Sequence, residues 1–218
     1  MNDTNLSARY IFNEIPDEQK KIEEFGHKAC NLSLAKKWQF PVPDTVFLSG
    51  ELVKEIFEKK CVPAEILSHF KNKLLAIRPS PVIDLSLKNE PFLYIGLDDR
   101  SYEILKKTVG IKKASQIYFS FLKMFSLTVY NLDLEKCDEL RRLLENSKSP
   151  ESVFEEGSSS QISRIKKLIS LETGSNFPRS ISEQLIEVIN SIYKNWISPT
   201  QKILRDVTVS YTHLRAHE

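Results

Sequence analysis

Glycine is scarce: the chain has 6 in 218 residues, where an average content of about 7% would give roughly fifteen. A phosphate cradle made from successive glycines is excluded over most of the chain, and neither GxxxxGK[ST] nor GxGxxG occurs. The HExxH of zinc peptidases and the GxSxG of serine hydrolases are missing as well. Cysteine is equally thin. Cys30, Cys61 and Cys137 lie too far apart for a CxxC pair or a closed set of bridges, which points to a reducing compartment. Charge of one sign is lacking, since 31 Lys plus Arg against 29 Asp plus Glu leave a net +2. No global field can then hold nucleic acid or an anionic membrane, and anion binding must be local. No run approaches the roughly 18 apolar residues of a membrane span. The segment from Met1 to Pro16 carries Asp3 and Glu14 and lacks the apolar core of a signal peptide. We expect a cytoplasmic protein with neither nucleic-acid nor membrane partners.

What is present is globular: 41% hydrophobic and 28% charged residues suffice for one or two domains with a real core. GHKACNLSLAKK, residues 26–37, predicts a turn at Gly26 and then a helix, with Cys30, Leu32 and Leu34 or Ala35 as its apolar positions. Pro41 and Pro43 stop it. A β-type run spans Thr45 to Leu48, and Ser49 stands as N-cap for a helix carrying Leu52, Val53, Ile56 and Phe57. A helix is expected over Ala64 to Lys73, then β-type runs over Leu74 to Arg78 and Phe92 to Leu97, separated by Pro79, Pro81 and Pro91. These elements predict a small mixed sheet with flanking helices.

Beyond Asp99 the period becomes helical. Ala114, Ile117, Tyr118, Phe121, Leu122, Phe125 and Val129 share one face. Asn146 to Gln161 reads as a polar surface loop, Ile162, Ile165, Leu168 and Ile169 open the next helix, and a stripe from Ile181 to Trp196 forms another. Ser198 and Pro199 can start one more.

Lys28, just after Gly26 and His27 at a helix start, sits where unpaired N–H groups and the helix dipole favour phosphate; a solvated surface lysine is the alternative. Arg78 closes the run LLAIR and would project from a strand end toward a ligand, or form a surface ion pair. Cys30 and Cys61 read as small core residues, Cys137 beside Asp138 and Glu139 as unreactive, and His69 as structural or exposed. Trp38 and Trp196 read as packing residues. His213 and His217 have the spacing of two ligands on one helix face but lack an intervening Glu and a third ligand, so no metal site is assigned.

Taken together, the strings resemble a known family. GHKACNLSLAKKWQFPVPDTVFLSGE (26–51) is similar to the GGKGxNLxEMxxxGxPVPxGFxxxTE opening of the pyruvate, phosphate dikinases. LLAIRPSP (74–81) resembles their LVSVRSxA, and YIGLDD (94–99) their NLGLND. SQIYFSFLKMFSLTVYNL (115–132) resembles YDSYRRFIQMYGDVV. The segment 172–206 resembles TGxxFPxxxxEQLxxAIxAVFxSWxSPRAxxYRRL. The likeness runs in order over about residues 8 to 206.

The resemblance implies an α+β fold, the N-terminal portion of an ATP-grasp domain. It would comprise a mixed α/β subdomain over 1–100, a helical insert over 101–180 and a helical return segment over 181–206. Residues 207–218, which break the helical pattern, resemble translated adapter read-through and are expected to be non-native. Lys28 and Arg78 match the lysine and arginine that contact the ATP phosphates in that family. The cofactor implied is Mg2+ with ATP, its ligands expected outside this chain, as are the histidine that is phosphorylated and the site where pyruvate and phosphate react. No catalytic residue is assigned within the chain, which alone should be inactive, and the complete enzyme is expected to be a homodimer. Some positions depart from the pattern: His27 and Ala29 replace glycines, Val82 replaces an arginine, Glu90 an aspartate, and IDLSLKNE the SMPGMMDT loop. A non-catalytic ATP-grasp module is therefore a second reading. The nucleotide domain of a related dikinase such as phosphoenolpyruvate synthase or glucan, water dikinase is a third.

Overall fold

The computed structural model describes residues 9–16, 21–80, 91–145 and 158–203. In chain order the elements are β1 (Tyr10–Phe12), α1 (Ile22–Phe25), α2 (His27–Lys37), β2 (Val46–Leu48), α3 (Gly50–Lys59) and α4 (Ala64–His69). They continue with β3 (Leu75–Ile77), β4 (Phe92–Ile95), α5 (Asp99–Val109), α6 (Ile111–Met124), α7 (Asp138–Glu145), α8 (Ser158–Thr173) and α9 (Ile181–Trp196). The chain is mixed helix and sheet, and it divides into two compact units. The first comprises residues 1–61, 78–90 and 192–218, and the second residues 62–77 and 91–191.

The described strands form two antiparallel pairs, β1 with β2 and β3 with β4, in place of the expected small mixed sheet. The two pairs fall in different units, β1 and β2 in the first and β3 and β4 in the second. β1 was not expected, because three residues are too short to display period-two alternation.

In the first unit Ile15, Phe25, Ala29, Cys30 and Phe47 form a core cluster, with Ile11, Ile22 and Leu32 packed against it. Ser33 is fully buried and is satisfied by Ile15, whose amide donates to its Oγ at 2.7 Å. α3 starts where its cap predicts. Ser49 Oγ accepts from the Leu52 amide at 3.2 Å, satisfying one of the orphan donors of the first turn, and Leu52 and Ile56 are buried. A helical turn over 199–203 likewise begins after Ser198, whose Oγ accepts from Gln201 N at 3.4 Å.

Three local expectations are corrected. Cys61 is exposed, because it follows the left-handed Lys60 that ends α3 and so points off the apolar face. Trp38 is 66% exposed, having been placed at the C-cap of α2, beyond the packed turns. α4 ends at His69 instead of continuing to Lys73, since Asn72 takes φ 61° to turn the chain into β3.

The second unit is built around α6. Ala114, Tyr118, Phe121, Leu122 and Phe125 of the expected stripe are all 0% exposed. Val129 is only half-buried because Phe125–Val129 forms a π turn, closed by Tyr130 N to Phe125 O at 2.9 Å, which rotates the face out of register. Phe177 packs its ring against Phe121 at 6.0 Å and Phe125 at 5.4 Å. α8 contributes Ile162, Ile165 and Ile169 and starts at Ser158, so the end of the expected loop 146–161 is helical; residues 146–157 lie outside the described residues. Serines suit a helix start, which is why a polar run concealed the first turn.

Candidate functional site

α2 opens from Gly26, which has φ 79° and is buried. A Cβ built there would fall on the carbonyl of Ser80, so only glycine permits that approach. The same two segments meet at a hydrogen bond, in which Ala29 N donates to Ser80 Oγ at 2.9 Å. Ser80 thus supplies a remote cap to the third residue of the helix. Its segment, Arg78-Pro79-Ser80, leads out of β3 and belongs with α2 in the first unit.

The two cations expected from sequence therefore lie on segments brought into contact. Lys28 is the second residue of α2 and Arg78 stands two positions before Ser80; both side chains are exposed. The first turn of α2 holds no acidic residue, while Lys36 and Lys37 occupy the last turn. Lysines at the C-terminus complement the dipole, but Lys28 adds positive charge to an end that is already positive. A helix N-terminus with a cation in its first turn is a setting in which an added anion is stabilised. Pro81 to Glu90, including Val82 and Glu90, lie outside the described residues, as do His213 and His217.

Sequence reasoning did not single out Ser80. The signal was a serine between two prolines after a strand, and its partner, 51 residues away in sequence, could not be read from the string.

A separate cavity of about 460 Å³ lies in the second unit, lined among others by Leu97, Asp98, Asp99, Tyr118, Lys166 and Arg179. Two of its charges are paired with each other, Asp99 and Lys166. Lys166 donates to Asp99 Oδ1 at 2.8 Å, and this bond, with weaker help from Tyr118 and Arg179, holds the Asp99 carboxyl below the usual range. Burial pushes the Tyr118 hydroxyl up, so it stays protonated and donates to Asp99 at 3.4 Å. Asp98 is committed to capping α5 through Ser101 N at 2.7 Å. We read this group as structural.

Glu183 closes a reciprocal cap at the start of α9. Its carboxylate accepts from Ser180 N at 3.0 Å and Arg179 N at 2.7 Å, and these bonds hold its pKa down. Cys137 is half-buried, and desolvation with a nearby Glu172 raises its thiol, in line with an unreactive role. Among the described residues no group of three His, Cys, Asp or Glu could hold a metal ion, and no helix is long and apolar enough to cross a membrane.

No family model matches the chain. It is similar to a dikinase. A pyruvate, phosphate dikinase of Giardia intestinalis is 25% identical over 225 aligned residues, covering 90% of this chain. The chain spans about a quarter of that protein's length.

Proposed function

We propose that this chain is the nucleotide-binding part of a phosphotransferase of the pyruvate, phosphate dikinase type, with the fold of an ATP-grasp N-terminal portion. The observation that carries the reading is the contact of the Gly26–Ala29 helix start with Ser80, which draws together the segments of the two cations picked out by the resemblance. The likeness to the dikinase over 90% of the chain supports it.

In this reading Lys28 and Arg78 receive the phosphates of ATP. Phosphoryl transfer spreads negative charge over the transferring group, and positioned cations stabilise it more strongly than they stabilise the ground state. The first N–H groups of α2 add partial positive charge in a fixed direction. A cluster of cations is unsuited to hold Mg2+, which takes oxygen ligands; the metal would arrive with ATP and find its protein ligands outside this chain. The phosphorylated histidine and the site for pyruvate and phosphate also belong to the remainder of a longer protein, as do the contacts of a homodimer. We place the complete protein in the cytoplasm.

The changes His27, Ala29 and Val82 favour one competing reading, a nucleotide-binding module that has lost catalysis. Incubating the complete native protein with Mg-ATP and assaying acid-labile, base-stable phosphate on histidine separates the two. Our reading expects ATP-dependent labelling; its absence across metal conditions supports the non-catalytic module. Product assays with and without pyruvate and phosphate then distinguish this acceptor chemistry from that of the related dikinases.

A further inference from the structure

Ser80 is tied to the start of α2 twice, by independent features. Its hydroxyl accepts the Ala29 amide at 2.9 Å, and its backbone carbonyl lies against Gly26 so closely that no side chain could be added there. The Oγ of a serine has one proton to give as well as lone pairs to accept with. Accepting from Ala29 uses a lone pair and leaves the hydroxyl's capacity to donate unaffected.

We propose that Ser80 is a positioning and specificity residue for the phosphate groups of a nucleotide, resting on the reading of Lys28 and Arg78 given above. It has two effects. Capping the third amide of α2 reserves that donor, so the bound phosphate is directed to the earlier amides of His27 and Lys28. Anchoring the chain two residues beyond Arg78 sets the separation between the two cations. An oxyanion bridging them is then met in a fixed geometry, which lowers the ordering cost of binding.

The test is calorimetric titration of Mg-ATP into the complete native protein and its Ser80→Ala, Ser80→Thr, Lys28→Ala/Arg78→Ala and triple variants, with thermal melting to check that each folds. We expect Ser80→Ala to bind about tenfold more weakly. Ser80→Thr, which keeps the hydroxyl, should stay within about twofold of wild type. In the Lys28→Ala/Arg78→Ala background the Ser80→Ala change should cost clearly less than it does in wild type, because part of its effect runs through the cations the residue spaces. Equal or tighter binding by a folded Ser80→Ala protein overturns the inference while leaving the cation reading intact. An additive loss in the triple variant overturns it too. If wild type does not bind Mg-ATP at all, or the double variant binds as wild type does, the underlying reading fails and the inference falls with it. Should Ser80→Ala unfold, Ser80→Cys, which keeps the size but offers a weaker acceptor and donor, replaces it. Wild-type affinity in that variant counts against the proposal.

Discussion

A single glycine carries an unusual share of the local geometry. Gly26 combines φ 79° with the close approach of Ser80, so alanine there meets both a left-handed backbone and an overlap with a carbonyl. Gly26→Ala should destabilise the first unit by at least about 1 kcal/mol, whereas Gly110→Ala, with φ 84° but open space around it, should pay only the backbone term. Urea unfolding of the two variants checks this; equal losses would show that the Ser80 contact adds nothing. At Asp99 the prediction concerns pH. Its carboxyl is held down by Lys166 in the folded state, so the folded protein releases that proton more readily than the unfolded chain, whose Asp titrates near about 3.9. The stabilisation is present above that value and is lost as the pH falls through the lowered folded pKa. With Asp99 88% exposed, its worth is at most about 1 kcal/mol. The stability difference between wild type and Asp99→Asn should therefore shrink in acid, and a gap that stays constant down to pH 2 would contradict the assignment.

What could be read at this scale depended on distance in sequence. Lys28 stood out because a helix start and a cation adjoin in one string, and Cys30 because it fell on an apolar face; both conclusions needed only local information. Ser80 and the Lys166–Asp99 pair join residues 51 and 67 positions apart, and nothing in either neighbourhood announces the other. Cys61 and Trp38 failed for a related reason, as each lies at a helix end, where the facing direction is decided by how the chain leaves the element.

At the scale of elements, helices with strong stripes were legible and short strands were not. The Ser49 cap and the α6 stripe follow from a side-chain acceptor and a 3.6-residue period, and the structure has both. Ser49→Ala should cost about 1 kcal/mol, since the Leu52 amide loses its acceptor inside a buried helix start. Phe121→Ala should cost about 3–5 kcal/mol, because the ring is wholly buried and touches Phe125 and Phe177. Thermal denaturation of both would rank them, and a smaller effect for Phe121→Ala than for Ser49→Ala would contradict the placement of α6 at the core. The expectation of a mixed sheet went wrong because pairing partners are long-range. β1 pairs with β2 across more than thirty residues, while among the described residues β3 and β4 pair only with each other, and no local pattern distinguishes two hairpin-like pairs from one sheet.

At the scale of the molecule, the chain returns to its first unit twice, once at 78–90 and again from Ile192 onward. The second unit is thus made from residues inserted between parts of the first, and the first return is the one that delivers Arg78 and Ser80 to α2. Helicity beyond Asp99 was legible as a change of period, but the first return was not, since it depends on where the chain leads after β3 ends at Ile77. The central claim is that this return completes a phosphate-binding site from Lys28 and Arg78. Calorimetric titration of Mg-ATP into the complete native protein, beside its Lys28→Ala/Arg78→Ala variant, tests it most directly. The account predicts measurable binding to wild type and a loss of at least about tenfold in the folded variant, given a charge-assisted bond removed at each cation. Equal affinity of the two proteins would contradict it.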